Sequence, residues 1–427
     1  MNKKIVSSIV MATMVVGGFA QSGTNSPYSQ YGLGLLSDQS QGFSRGMNGA
    51  AIGLRQGNVA NTLNPASYSA VDSMTMIFDA GMSGQITNFK EGGMKVNANN
   101  ANFEYIVGLF RLVKGVGVSF GVLPYSNVGY KYTSSTYLDR TNGTVTETFT
   151  GEGGFHQAFV GVGAQVLPNL SLGVNAAYLW GDVDRSVVSS STTYINSLAK
   201  NYSVSVSSYK LDVGLQYTLP LTKADRVTMG ATMGIGHKLG ADATCSVINV
   251  GTSGNRDTTA LVAANAFELP MTYGFGVAWQ HKASLLVDAD VSFQQWGKVA
   301  FPVHDVANNT YEARSNVLKN RWKVALGADY VPNPVSLHNY LKRVHYRLGA
   351  GFSTPYYKVN NADGPKEWSV SAGFGFPLQN RFNNRSVLNL SAQWVRTSAK
   401  DMILENTFRI NLGLTFNERW FFKWKID

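Results

Sequence analysis

The chain carries one cysteine in 427 residues, so no internal disulfide can staple it. Cys245 reads as an unpaired thiol in a loop, and no cysteine stands near the N-terminal leader to take a lipid anchor. The six histidines, His156, His237, His281, His304, His338 and His345, are dispersed. None forms a His-x-x-x-His pair, and there is no Cys-x-x-Cys, so no metal ligand is assigned. Gly115-Val116-Gly117 lies in strand context with no helix after it, which excludes a dinucleotide fold, and no cofactor is expected. Basic residues are scattered despite a net charge of +10, so no run tracks a phosphate backbone and nucleic acid is not expected as a partner. Past the leader no apolar run reaches the roughly 18 residues of a helical span. An enzyme is not expected either. His345 and Ser353 share an inward face without an acid evident from spacing, and Asp288 and Asp290 read as ordinary polar residues of a wet lumen.

What the chain has in abundance is alternation. Phe408, Ile410, Leu412, Leu414 and Phe416 interleave with Arg409, Asn411, Gly413 and Thr415, a period of two with one apolar face. Similar stretches lie near 73–87, 101–112, 116–132, 155–167, 170–188, 201–219, 226–241, 264–280, 284–296, 320–331, 343–355, 366–377, 385–397 and 405–416. An even count of strands this long predicts an all-β fold, a 14-stranded antiparallel transmembrane β-barrel. Short connections at 113–115, 168–169, 220–225, 281–283 and 378–384 alternate with long ones at 88–100, 133–154, 189–200, 242–263 and 297–319. The short set is expected in the periplasm and the long set outside. The connection at 332–342, with Pro332 and Pro334, is longer than its periplasmic place predicts. Trp180, Trp279, Trp296, Trp322 and Trp394 fall toward strand ends, where an interfacial belt of aromatics would sit.

The first twenty residues read as a secretory signal: Lys3 and Lys4, an apolar Ile5 to Gly18, then small residues ending at Ala20. The expected location is the cell outer membrane of a Gram-negative bacterium after signal-peptide cleavage, with outer-membrane lipids as surroundings. Residues 21–72 are rich in Gly, Ser, Asn and Ala and hold no spanning stretch. They form either a periplasmic arm or an N-terminal lumenal hatch. Gly327, Gly349, Gly351, Gly373, Gly375 and Gly413 occupy polar-face positions of neighbouring strands. Either another backbone approaches them, or they relieve curvature in a closed sheet. The expected organisation is signal 1–20, hatch 21–72, barrel 73–416 and an aromatic, basic periplasmic tail 417–427.

Phe43-Ser44-Arg45-Gly46-Met47-Asn48-Gly49-Ala50-Ala51-Ile52, Gly57-Asn58-Val59 and Asn64-Pro65-Ala66 resemble the hatch of the FadL/OmpP1/TodX family of outer-membrane hydrophobic-compound transporters. Phe267-Glu268-Leu269-Pro270, Tyr273 to Trp279 and Arg347 to Phe352 resemble its later strands. The aromatic lead Ser26 to Gly34 departs from the family pattern, which marks a divergent, Bacteroidota-type member. The resemblance implies passive uptake of a hydrophobic or amphipathic small-molecule ligand through a hatch-gated lumen. Arg45, Asn64, Pro65 and Ala66 would hold the hatch. Pro124 breaks the third strand inside the membrane, and Leu123-Pro124 matches the family's kink, which opens the wall for lateral exit; the plain alternative is that Pro124 ends the regular strand. The alternative function is a non-transporting FadL-like subunit of an outer-membrane protein assembly or secretion complex. Its envelope protein partners would dock on the aromatic lead and on the tail after Phe416, which otherwise serves as an interfacial anchor.

Overall fold

The computed structural model describes residues 23–138, 143–191, 197–251, 253–305, 307–378 and 386–419. The leader expected at 1–20 and the tail from 420 onward lie outside the described residues. One antiparallel sheet of 17 strands closes on itself. Three of these are the short Leu35–Leu36 and two upper segments, Ala243–Val250 and Arg256–Ala263. The other 14 form the wall. They are β1 (Thr75–Glu91), β2 (Met94–Val113), β3 (Val116–Leu138), β4 (Gly143–Leu167), β5 (Leu170–Ser191), β6 (Ser197–Pro220), β7 (Asp225–Gly234), β8 (Thr272–His281), β9 (Leu285–Gln294), β10 (Arg321–Tyr330), β11 (His345–Ser353), β12 (Lys366–Pro377), β13 (Val387–Ser398) and β14 (Leu404–Arg419). The first pairs with the last from Thr75↔Arg419 to Lys90↔Leu404, which closes the barrel.

Alternation sorts the two faces. On β1, Phe78, Met82 and Ile86 are exposed outward, while Ile77 and Asp79 are buried inside. On β14, Phe408, Ile410, Leu412 and Phe416 face out, and Asn411 and Thr415 face in. Acyl chains solvate the outer set, whereas the inner polar set must find partners within the protein. Trp279, Trp322 and Trp394 lie on the outer face as a belt requires, but Trp296 does not. It is fully buried in a 3-10 turn, Trp296–Lys298, and packs 4.6 Å from Tyr356 above the lumen. β14 also runs through Asn417 to Arg419, so the first residues of the expected tail belong to the wall.

Strand lengths are uneven. β3 to β6 have 23, 25, 22 and 24 residues, while β10 to β13 have 10, 9, 12 and 12. A tilted span needs only about 9–11 residues. One arc of the wall therefore stands far above the bilayer. Much of what reads as loop at 133–154 and 189–200 continues the strands, and 242–263 holds the hairpin of Ala243–Val250 with Arg256–Ala263. Cys245 accordingly lies buried in a strand, where burial pushes its thiol above the ordinary value. A further hairpin, Phe301–Asp305 with Thr310–Arg314, folds within the long loop at 297–319.

Two expected strands break. The stretches 226–241 and 264–280 are interrupted over 235–242 and 264–271. Pro270 offers no ladder donor, and Gly240 and Asn265 adopt φ of +70° and +48°. The broken segments turn Leu239, Phe267 and Leu269 into the apolar cluster that fills the upper barrel.

Candidate functional site

Residues 23–72 lie against inward-facing residues of the wall, and they also touch the wall at its weakest place. β2 pairs with β3 only from Val113↔Val116 up to Ile106↔Val122. Above that point β2 is bonded to β1 alone. The cause is local. Pro124 has no N–H to give, and the β3–β4 register slips between Pro124 and Ser126, so β3 turns away from β2. Leu123 and Pro124 thus stand at the lower end of an open seam between β2 and β3.

The seam is not empty. Leu35 and Leu36 pair antiparallel with Asn127 and Ser126, and Ser37 donates its N–H to the Tyr125 carbonyl at 3.0 Å. Gln39 Nε2 donates to the Pro124 carbonyl at 2.8 Å. On the β2 side, Asn102 Nδ2 donates to the Gly23 carbonyl at 2.8 Å, and Asn25 Nδ2 donates to Asn100 Oδ1 at 3.2 Å. The chain from Gly23 to Gln39 is therefore a strap bonded to both lips of the seam.

Below the strap, three further attachments hold the segment. Arg45 closes a helical turn, Gly42–Arg45, and its buried guanidinium meets Glu104 of β2 at 2.9 Å. It also donates to Asn411 of β14 at 3.2 Å and to the Ser40 carbonyl at 3.0 Å. Asn64 caps the 3-10 helix Pro65–Ala70: its Oδ1 accepts the Ala66 N–H at 3.1 Å, and its Nδ2 donates to the carbonyls of Ile52 and Leu215. Pro65 rests on Gly163, Gly173 and Gly214, and Ala66 is fully buried. The third attachment is Asp290 on β9, whose Oδ2 accepts the N–H groups of Ala51 and Ile52 at 2.6 and 2.8 Å. Arg45 and Asn64 to Ala66 thus grip different arcs of the wall, and the structure does not bring them together.

The glycine question resolves position by position. A Cβ at Gly327 or Gly349 would collide with Met47, and one at Gly351 with Asn48. At Gly373 and Gly413 it would come within 3.0 Å of the Gly46 and Gly42 Cα atoms. Gly375 differs, because there the neighbour is the wall's own Arg347.

His345 does have an acid partner, Asp329 Oδ2 at 2.8 Å, contributed by β10. Ser353, eight residues further along β11, lies roughly 26 Å away along the strand, so that serine does not stand near the pair. Among the described residues no cluster of three or more metal-ligating side chains occurs.

The aromatic lead turns inward. Tyr28 is buried and donates its hydroxyl to the Ile403 carbonyl at 2.6 Å. Tyr31 stacks on Tyr357 at 5.3 Å, and the Leu33 N–H donates to the Tyr356 hydroxyl. Together with Trp296 these rings cap the mouth of the barrel.

Leu36, Ser37 and Asp38 border two cavities. One, of about 230 Å³, has Leu63, Leu123 and Phe159 on its apolar side and charges of both signs, Lys210, Arg321 and Lys323 with Asp38, Asp212 and Asp290. The other, of about 200 Å³, faces β1, β2 and β14 and is lined mainly by polar groups, with Arg321 and Lys323 shared between the two. The sequence marked Arg45, Asn64 to Ala66 and Pro124 for attention, whereas the strap and Asp290 carried no such mark.

The family model described as BamG matches residues 1–427. No curated protein matches the chain. Among solved structures, the Pseudomonas putida toluene transporter TodX superposes with a TM-score of 0.60 at 15% identity, over 91% of this chain and 100% of that one. The Ralstonia pickettii toluene transporter TbuX gives 0.59 at 13%, over 90% and 99%. A Pseudomonas aeruginosa FadL homologue gives 0.60 at 12%, over 90% and 99%. At such identities the likeness establishes the FadL-type barrel fold.

Proposed function

The chain belongs to the BamG family, and on that premise we propose that it serves as a non-conducting barrel subunit of an outer-membrane protein assembly complex. The observation that carries this reading is the closed seam. The wall of this fold has an opening between β2 and β3, and here the chain's own strap spans it through backbone pairing with β3 and through Asn100 and Asn102 of β2. Arg45, Asn64 to Ala66 and Asp290 fasten the rest of the segment inside the lumen. The tall arc of β3 to β6 supports the same reading. It raises Ser- and Thr-rich strands above the bilayer on one side, a broad polar face on which an envelope protein can dock.

A second reading is favoured by one specific observation. The cavity bordered by Leu123 joins an apolar wall to one that carries both signs of charge, which suits an amphipathic small molecule with a polar head. In that reading the strap yields, and the ligand leaves sideways past Leu123 and Pro124 into the membrane. A greasy solute partitions readily into acyl chains once past the polar layer.

Mild-detergent extraction of a tagged full-length copy from native membranes, followed by mass spectrometry, separates the two. A stoichiometric complex with other envelope proteins and an empty lumen is the expected result. A solitary barrel carrying an apolar ligand would overturn the assembly reading and support uptake.

A further inference from the structure

The connection between β10 and β11 is longer than the other described periplasmic turns, and it is folded. The Val331 N–H donates to the Ser284 carbonyl at 2.7 Å, which pins its start to the neighbouring turn. The Asn333 N–H donates to the Lys342 carbonyl at 2.7 Å, which closes the loop on itself, and Tyr340–Arg343 forms a 3-10 turn. Val331 and Val344 are buried at the two ends of the loop, yet the apolar side chains between them point away from the protein. Leu337 is 89% exposed and Val335 79%, with Leu341 beside them.

The position of the loop narrows what covers them. Tyr346 faces outward on β11 and donates its hydroxyl to the Leu341 carbonyl at 3.1 Å, while its ring lies 5.8 Å from that of Phe374, edge to face. Tyr340 donates its hydroxyl to the Pro377 carbonyl at 3.0 Å. The turn thus sits on the outer rim of the barrel, continuous with the lipid-facing aromatics of β11 and β12, and not beneath the lumen. Its charge is of one sign. From 331 to 346 the chain contains Lys342 and Arg343 and no Asp or Glu. The Arg343 guanidinium lies 5.3 Å over the Tyr340 ring, held at the level where that aromatic belt ends.

We infer that this loop is a phospholipid-binding site of the periplasmic leaflet. Val335, Leu337 and Leu341 enter the acyl boundary, and Lys342 and Arg343 meet the phosphate of an anionic headgroup. The arrangement is that of an interfacial anchor, with apolar tips on one side and cations at headgroup depth. It does not depend on whether the barrel conducts.

The test uses the purified full chain in phosphatidylethanolamine vesicles with and without phosphatidylglycerol, and counts lipids retained after gentle detergent extraction by native mass spectrometry. The wild type retains phosphatidylglycerol in preference to phosphatidylethanolamine. K342Q/R343Q loses about tenfold of that preference, and L337S/L341S lowers retention of both lipids. Each variant must migrate as a folded barrel in unboiled electrophoresis. Equal retention of the two lipids by the wild type, or an unchanged preference in K342Q/R343Q, overturns the inference. A photoreactive diazirine residue placed at 337 supplies the second arm in native membranes. Adducts to lipid support the site, and adducts to a protein overturn it in favour of a periplasmic partner.

Discussion

At the scale of single residues, the segment in the lumen is held by contacts of two kinds, and they differ in how far they reach along the chain. Asn64 caps a helix two residues away, and Asn64-Pro65-Ala66 was marked in the sequence by its family resemblance and not by that cap. Asp290 serves amides 238 and 239 positions distant, and nothing in its neighbourhood announces that role. Such a carboxylate on an inward strand position looks like any polar residue of a wet wall. The two should fail differently. Asn64→Ala removes a cap worth about 1 kcal/mol and raises amide exchange at Ala66 roughly fivefold. Asp290→Ala removes two charge-assisted bonds of about 1.5–3 kcal/mol each, so exchange at Ala51 and Ile52 rises by roughly tenfold or more. Hydrogen exchange on the refolded barrel measures both, and a larger effect at Ala66 than at Ala51 would contradict the assignment. A third residue acts outside the membrane. Arg314 and Asn308 hold Asp305 below its ordinary value of 3.8 in the upper hairpin. A depressed carboxylate stabilises the folded hairpin above pH 3.8, and that contribution is lost as pH falls through the folded value. Exchange at the Ala307 and Asn308 amides should therefore quicken only below about pH 4 in the wild type, but already at neutral pH in Asp305→Ala.

At the scale of elements, period-two alternation identified every wall strand, because lipid on one side and protein on the other give each strand maximal contrast. The contrast disappears where water lies on both faces. Thr144-Val145-Thr146-Glu147-Thr148-Phe149 belongs to β4, yet its two faces are too alike to declare a strand, and the tall hairpins read as loops for that reason. The breaks at 235–242 and 264–271 were hidden for the opposite reason, since apolar residues continue through them and only Gly240, Asn265 and Pro270 betray the change. Pro124 was legible, and so was the kink it makes. Its consequence was not, because the strap that spans the kink comes from a part of the chain without any periodicity. Pro124→Val restores a donor, but Leu35 and Leu36 still occupy the seam beside Asn127 and Ser126. In a sealed subunit the entry of an apolar dye into proteoliposomes is the same for Pro124→Val and wild type. A clear fall in entry would instead assign the kink to lateral transport.

At the scale of the whole molecule, the barrel and its contents are separable, because closure does not depend on the strap. β1 pairs with β14 over sixteen positions from Thr75 to Lys90, and every wall strand after β3 has a partner on each side. Within the sheet ladder the strap adds only Leu35 and Leu36, and its other bonds, from Gly23, Asn25, Ser37 and Gln39, lie outside that circuit. Removing 23–39 should therefore leave the fourteen-stranded wall intact while joining the two cavities of about 230 and 200 Å³ and unsealing the space between β2 and β3. In planar bilayers the wild type is expected to pass no resolvable ion current, and the deletion variant to show discrete steps. Unboiled electrophoretic mobility reports that the wall has closed in both. Steps of equal size from the wild type would mean that a path exists through the lumen despite Arg45, Asp290 and the Asn64 cap, and the sealed-barrel reading would fail. Silence from both proteins would place the seal lower, in residues 42–72, where the Gly42–Arg45 turn and the Pro65–Ala70 helix lie against the glycine-lined wall. A further deletion carried to residue 66 then opens the barrel if those contacts form the barrier.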